Sequence, residues 1–332
     1  MTDRLTFGYL YDFRNPPQWE RRWQDLYAEV LDVVRWTEEA GFHGAWVPEH
    51  HLADDGYIPS PLIALAAMAA RTQRLKLGSA IALAPLYHPL RFAEDCAVLD
   101  ILSGGRLEVG LAIGYRRRES AAFGVDFTRR GRIFDEWLQI VTRLWAGETV
   151  DFEGQHFRLA GAKLMPPAPR GRIPLYIGSF SDKAMERVAR YGDGFIGSGE
   201  LCDLYAEKLR QQGKDQASAR VRSTDLFLAV AHDPEKALDE LAPHYHHVNN
   251  SYGEWFNEEK ALEGLKPMSL EAFKASGILQ IMTPAAAIAM LKAKQQRMPL
   301  EHVMMMMPPG LPAARFVEYA GVFAREVIPA FR

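Results

Sequence analysis

The chain has 332 residues, of which 48% are hydrophobic and 24% charged, and its formal net charge is -3. That balance describes a globular protein with a large core, and a charge so near neutrality gives no reason to expect a nucleic acid or an anionic membrane as partner. Two cysteines, Cys96 and Cys202, are too few for a disulfide framework. With no secretory leader and no run of roughly 20 apolar residues, a cytoplasmic protein is expected.

Taken in order, Leu5 to Leu10 reads as a short strand, and Leu26, Val30, Val33, Val34 and Thr37 recur at helical spacing before a stop at Gly41. Gly44 to Val47 is a second strand. Ser60-Pro61 supplies a helix start for an alanine-rich segment to about Thr72. Leu75 to Leu83 is an apolar run suited to a strand buried on both faces. A helix from about Leu90 to Leu102 ends at Gly104-Gly105. Leu107 to Ile113 and Arg132 to Trp145 form the next strand and helix, and Phe152 to Met165 reads as a hairpin insertion turning at Glu153-Gly154. Leu175 to Gly178, Asp182 to Tyr191, Phe195-Ile196, Leu201 to Gly213 and Leu226 to Ala231 continue the alternation. His232 to Ser276 does not resolve into one element and is expected to be an inserted helical or mobile segment. Ile278 to Met282, a helix opened by Thr283-Pro284, Val303 to Met307 and a helix from about Pro312 to Val327 complete the pattern.

Short apolar strands alternating with amphipathic helices predict right-handed βαβ units and a parallel sheet. About eight units favour a TIM (β/α)8 barrel as one domain over 1–332, with insertions near 150–166 and 232–276. A dinucleotide-binding sheet would need a glycine-rich turn after the first strand, where Tyr9-Leu10-Tyr11-Asp12-Phe13 stands instead.

A barrel carries its site at the C-terminal strand ends. Those ends hold Glu49, His50 and His51 after the second strand, Ala80-Ile81 after the third, and Gly114, Tyr115 and Arg116 to Arg118 after the fourth. Ser179, Phe180 and Ser181 follow the fifth, Ser198 and Glu200 the sixth, His232 the seventh and Met304 to Pro309 the eighth. Imidazole titrates near neutral pH, which suits His50 to acid–base work, with Glu49 placed to orient a ring nitrogen. A metal at Glu49-His50-His51 is disfavoured, because adjacent strand residues point to opposite faces. His244, His246 and His247 form a second cluster, better explained as polar loop residues than as ligands. The methionines from Met304 to Met307 suit either an adaptable pocket or barrel core.

The pieces Val47-Pro48-Glu49-His50-His51, Leu77-Gly78-Ser79-Ala80, His88-Pro89-Leu90-Arg91-Phe92-Ala93-Glu94-Asp95 and Leu99-Asp100-Ile101-Leu102-Ser103-Gly104-Gly105-Arg106 stand in one order and spacing. With Gly178-Ser179-Phe180-Ser181 and Tyr191-Gly192-Asp193-Gly194, they make the chain resemble the bacterial-luciferase-like flavin-dependent monooxygenases over about two thirds of its length. The resemblance implies reduced FMN as co-substrate, a separate flavin reductase as its supplier, oxygen transfer to a small organic substrate, and a homodimer formed through the helices near 60–72 and 90–102. It places His50 as the catalytic histidine and Ala80, Ile81, Ala112 and Tyr115 beside the flavin ring, with a cis Ala80–Ile81 peptide. Ser179, Phe180 and Ser181 are placed at the FMN phosphate. Ala112 and Ile113 stand where luciferases have a reactive cysteine and an arginine. The phosphate arginine must then be absent or come from Arg116, Arg117, Arg118 or Arg132, whose first three members otherwise read as a solvated helix start. A deazaflavin-dependent hydride-transfer enzyme is the near alternative, and a non-catalytic flavin-binding protein the remote one. Specificity is expected to lie in 232–276.

Overall fold

The computed structural model describes residues 4–178, 181–197, 201–259 and 264–332. Its elements run β1 (Thr6–Leu10), α1 (Trp23–Ala40), β2 (Gly44–Val47), α2 (Pro61–Arg71), β3 (Lys76–Ser79), β4 (Ala82–Leu83), α3 (Pro89–Leu102), β5 (Leu107–Ala112), α4 (Arg117–Ala122) and α5 (Arg130–Trp145). Then follow β6 (Val150–Glu153), β7 (Arg158–Ala162), β8 (Leu175–Gly178), α6 (Asp182–Tyr191), β9 (Gly194–Gly197), α7 (Cys202–Gln211), β10 (Val221–Thr224) and β11 (Leu228–Val230). The chain finishes with α8 (Pro234–Glu259), α9 (Leu270–Ala275), β12 (Gln280–Met282), α10 (Pro284–Arg297), β13 (Leu300–Met306) and α11 (Ala313–Val322).

Parallel pairing in the order β3-β2-β1-β13-β10-β9-β8-β5, sealed by a β3–β5 pairing, closes a barrel of eight strands. β4 prolongs β3 beyond the Ala80–Ile81 peptide and also pairs with β5. That peptide is cis, as expected. The helices bury one face each against the barrel: on α1 this face is Leu26, Val30, Val33, Val34 and Thr37, and Gly41 at φ 96° ends the helix in a left-handed cap. Ser60 holds the predicted N-cap position of α2, although its side chain makes no capping bond. The hairpin β6–β7 is present, and its Glu153↔Arg158 pairing leaves residues 154–157 as the turn. No helix among the described residues is long and apolar enough to cross a membrane.

One strand assignment is corrected. The seventh barrel strand is Val221–Thr224, which pairs with β9 and β13, and not Leu226 to Ala231. Its apolar pattern is broken by Arg222, which lies inside the barrel, ion-paired with Glu108 (2.6 Å), hydrogen-bonded to Glu301 (2.9 Å) and stacked 3.4 Å over Tyr176. The more apolar Leu228–Val230 pairs instead with Gln280–Met282 in a separate two-stranded parallel sheet. The 232–276 segment, expected to be an inserted helical or mobile stretch, is helical over much of its described length: it holds the 26-residue α8, with Pro243 inside it, and the short α9. Ala237, Leu241, Tyr245, Val248, Tyr252 and Trp255 recur every three or four residues along α8 and turn towards the barrel.

Candidate functional site

His50 follows β2 and is 6% exposed. Its Nδ1 lies 2.9 Å from Oε1 of Glu119 on α4. Burial pushes the His50 pKa below its ordinary value, and the Glu119 carboxylate recovers only part of that shift. Burial opposes the Glu119 carboxylate as well, but the His50 ring, the His51 amide (2.9 Å) and Arg116 outweigh it and hold its pKa low. An ionised carboxylate has no proton to give, so the hydrogen sits on Nδ1 and donates to Glu119. Nε2 is then left with its lone pair, directed away from the carboxylate. A neutral, oriented imidazole with one accepting nitrogen can take a proton from a bound molecule and return it.

Glu49 does orient a ring nitrogen, but that of His51. Its Oε1 accepts from Nε2 of His51 (2.9 Å) and from the Tyr87 hydroxyl (2.7 Å), and its Oε2 accepts from the Leu83 amide (2.7 Å). The carboxylate therefore ties the end of β2 to β4, just past the Ala80–Ile81 peptide. Ala80 is buried and Ile81 half-buried, and a Cβ placed on Gly178 would come within 2.2 Å of the Ile81 side chain. Glycine at 178 thus leaves room for Ile81 at the mouth of the barrel. Ala112 and Tyr115 are half-buried at the end of β5, and Gly114 between them takes φ 73°. Tyr115 faces the His50 ring at 5.6 Å between centroids, and its hydroxyl is buried with no hydrogen-bond partner.

Ser181 caps α6, accepting from the Ala184 amide. Ser179, Phe180, Ser198 and Glu200 lie outside the described residues. Arg116 is not part of a solvated helix start. It is 2% exposed, donates to the His51 carbonyl (3.0 Å) and to Glu119 (3.1 Å), and stacks 4.3 Å from the Trp255 ring. Arg117, Arg118 and Arg132 are exposed. His232, expected at the seventh strand end, is largely exposed and pairs with Glu326, because that strand ends earlier, at Thr224. Met304, Met305 and Met306 are fully buried and so belong to the core.

α8 supplies what the sequence left undefined. Trp255 and Tyr252 lie 4.7 and 5.9 Å from the His50 ring, and Tyr57 from the loop after β2 lies at 4.9 Å. The helix is fastened over the mouth by a polar cluster. Asp55 accepts from Nε of Arg14 (2.6 Å) and is bonded to Nε2 of His247 (2.7 Å), Arg14 donates to Ser251 (2.6 Å), and the Tyr57 and Tyr252 hydroxyls are 2.7 Å apart. The three clustered histidines take separate partners: His244 bonds to the Pro309 carbonyl, His246 to that of Met268 and His247 to Asp55. Glu119, Arg14 and Trp255 were missed from sequence. Glu119 carried a faint signal, as the one acidic residue just beyond the arginine run.

A (β/α)8 barrel with an oriented histidine–carboxylate pair at its C-terminal mouth is an enzyme-like scaffold, and the comparisons agree. The chain belongs to the luciferase-like monooxygenase family, whose model matches residues 5–291. Members of that family are oxidoreductases, some of them monooxygenases and some F420-dependent dehydrogenases. The chain is 32% identical over 228 residues to an F420-dependent glucose-6-phosphate dehydrogenase of Nocardia farcinica, covering 64% of this chain and 67% of that protein. It is 26% identical over 257 residues to the alkanal monooxygenase alpha chain of the Kryptophanaron alfredi symbiont, covering 75% and 71%. In fold it is similar to the monooxygenase RslO1 of Streptomyces bottropensis, with TM-score 0.84, 22% identity and coverage of 99% and 100%.

Proposed function

We propose that this protein is a cytoplasmic flavin-dependent monooxygenase that takes reduced FMN from a separate reductase and uses oxygen to oxygenate a small organic substrate. The observation carrying this reading is His50, buried and neutral, with Nδ1 held by Glu119 and Nε2 free to accept. The mouth residues fit a flavin. Ala80, Ile81 and Ala112 offer a small apolar seat, and Tyr115 holds an unpaired buried hydroxyl. Ser181 stands at a helix N-terminus suited to a phosphate, behind Ser179 and Phe180 in sequence. Reduced FMN, when bound, supplies the electrons for oxygen activation. The chain's own part is to seat the ring, move a proton at Nε2 of His50 and exclude water beneath α8. The alkanal monooxygenase relative supports this choice.

A second reading has its own support. The 32% identity to an F420-dependent dehydrogenase favours hydride transfer to or from a deazaflavin. One experiment separates the two. The protein is loaded anaerobically with reduced FMN or with reduced F420, supplied with candidate substrates, and exposed to isotopically labelled oxygen. Label in the product only with FMN supports the monooxygenase. Oxygen-independent turnover with F420 alone overturns it.

The homodimer implied by the resemblance is also proposed. α2 and α3 pack side by side, and they expose Ile63, Val98, Ile101 and Leu102. Light scattering at micromolar concentration is expected to give twice the chain mass, and a single-chain mass refutes the pairing.

A further inference from the structure

We propose that Glu259, at the end of α8, is a positioning residue for His50: it caps α4 and so sets where Glu119 meets the imidazole. This deepens the monooxygenase reading and rests on it for the use made of the His50 proton, though not for the geometry.

The end of α8 grips three consecutive residues. Trp255 stacks 4.3 Å from the Arg116 guanidinium, and the Phe256 ring lies 5.2 Å from that of Tyr115. Oε1 of Glu259 accepts from the Arg117 backbone amide at 2.6 Å, and its Oε2 lies 3.4 Å from Nε of Arg117. Trp255 and Glu259, four residues apart, share one face of the helix. The Glu259 side chain is only 7% exposed, so its carboxylate is turned from solvent towards these partners.

The Arg117 amide opens α4, whose N-cap residue Arg116 makes no side-chain capping bond. A first-turn amide has no partner within its own helix, so a carboxylate there satisfies it and is favoured by the helix dipole. With six residues, α4 is too short to hold itself together, and its orientation follows what it is tied to. At its start that tie is Glu259, and Glu119 stands two residues further on, in the same turn. A shift of α4 is therefore a shift of Oε1 of Glu119, which must serve both Nδ1 of His50 and the His51 amide at 2.9 Å. Arg116 also bonds Glu119, at 3.1 Å, but Arg116 is itself held against Trp255 of α8. Seating of α8 and readiness of His50 are thus one event.

The test reads the His50 ring tautomer in the full chain, without cofactor, by long-range proton–nitrogen NMR, and thermal melting checks that each variant folds. The wild type should carry its hydrogen on Nδ1. In Glu259→Ala the ratio of the Nδ1–H to the Nε2–H form should fall about tenfold or more, as when a hydrogen bond to a charged group is lost. Glu259→Gln keeps an acceptor for the amide and should retain most of the wild-type ratio. Arg117→Pro makes the complementary change. It deletes the amide at the first helical position, where proline is tolerated, after an Arg116 already extended at φ -87° and ψ 117°. It should match Glu259→Ala, and the double variant should go no further. Arg117→Ala keeps the amide and should leave the ratio in place. An unchanged ratio in whichever of Glu259→Ala and Arg117→Pro folds, an equal loss in Arg117→Ala, or a wild-type hydrogen on Nε2 overturns the proposal. No flavin, substrate or oxygen enters this measurement, so unchanged ratios remove the positioning role alone, and missing oxygenation removes the monooxygenase alone.

Discussion

Oε1 of Glu119 lies 2.9 Å from Nδ1 of His50, a residue 69 positions earlier, and equally 2.9 Å from the backbone amide of His51. One oxygen thus fixes both the ring and the chain that carries it. Glu119→Gln keeps the shape and removes the charge, so turnover should fall roughly 10–100-fold, the order of loss known for carboxylates that orient metal-bound imidazoles. Glu119 raises the His50 pKa against burial, so the variant's acid limb should move to lower pH. Steady-state pH profiles of both proteins check this, and an unmoved limb would show that Glu119 only props the fold.

His50→Ala should spare flavin affinity and lower product formation by about 10²–10⁴-fold. In the wild type the working form is the neutral ring. Its pKa lies below the ordinary value of about 6.5, so activity should hold through neutrality and fail only on acidification beyond that. Single-turnover measurement at saturating reduced FMN decides the matter. A variant that transfers oxygen as fast as wild type would reduce His50 to scaffolding.

The barrel and its mouth were legible because each strand end follows an apolar run, and Glu49-His50-His51 follows the clearest of them. Arg222 hid the seventh strand, since a charge facing the barrel interior breaks the apolar pattern that marks a buried strand. α8 was hidden differently. Its stripe from Ala237 to Trp255 is regular, but Pro243 and three histidines interrupt it where a helix is least expected. Glu119 was hidden by distance, because nothing local in Arg116-Arg117-Arg118-Glu119 tells which side chains turn inward.

Beneath the site, Arg222 holds Glu108 and Glu301 inside the barrel. Arg222→Met leaves two largely buried carboxylates without their cation and should destabilise the fold by about 3 kcal/mol, the low end for a broken buried pair given the partial exposure of Glu301. Urea unfolding at neutral pH measures it. A change within about 0.5 kcal/mol would mean that the network contributes nothing.

Asp12 predicts the opposite sign. Burial pushes its carboxyl up to about 7, against the pull of Arg14. The folded protein then binds this proton more tightly than the unfolded chain does, so stability is lost as pH rises from about 4 towards 7. Asp12→Asn is neutral throughout and should become more stable relative to wild type as pH rises from about 5 to about 8. Denaturation curves at both values check it, and a constant difference would place the ionisation elsewhere.

The short pairing of Leu228–Val230 with Gln280–Met282 brings together the two ends of the excursion that contains α8 and α9. Because the ends already meet, the barrel outside them has no need of any particular length or sequence between. The excursion behaves as a cassette with fixed terminals: another family member's segment, spliced at Val230 and Gln280, would bring its own wall against His50 while the eight strands stay in register.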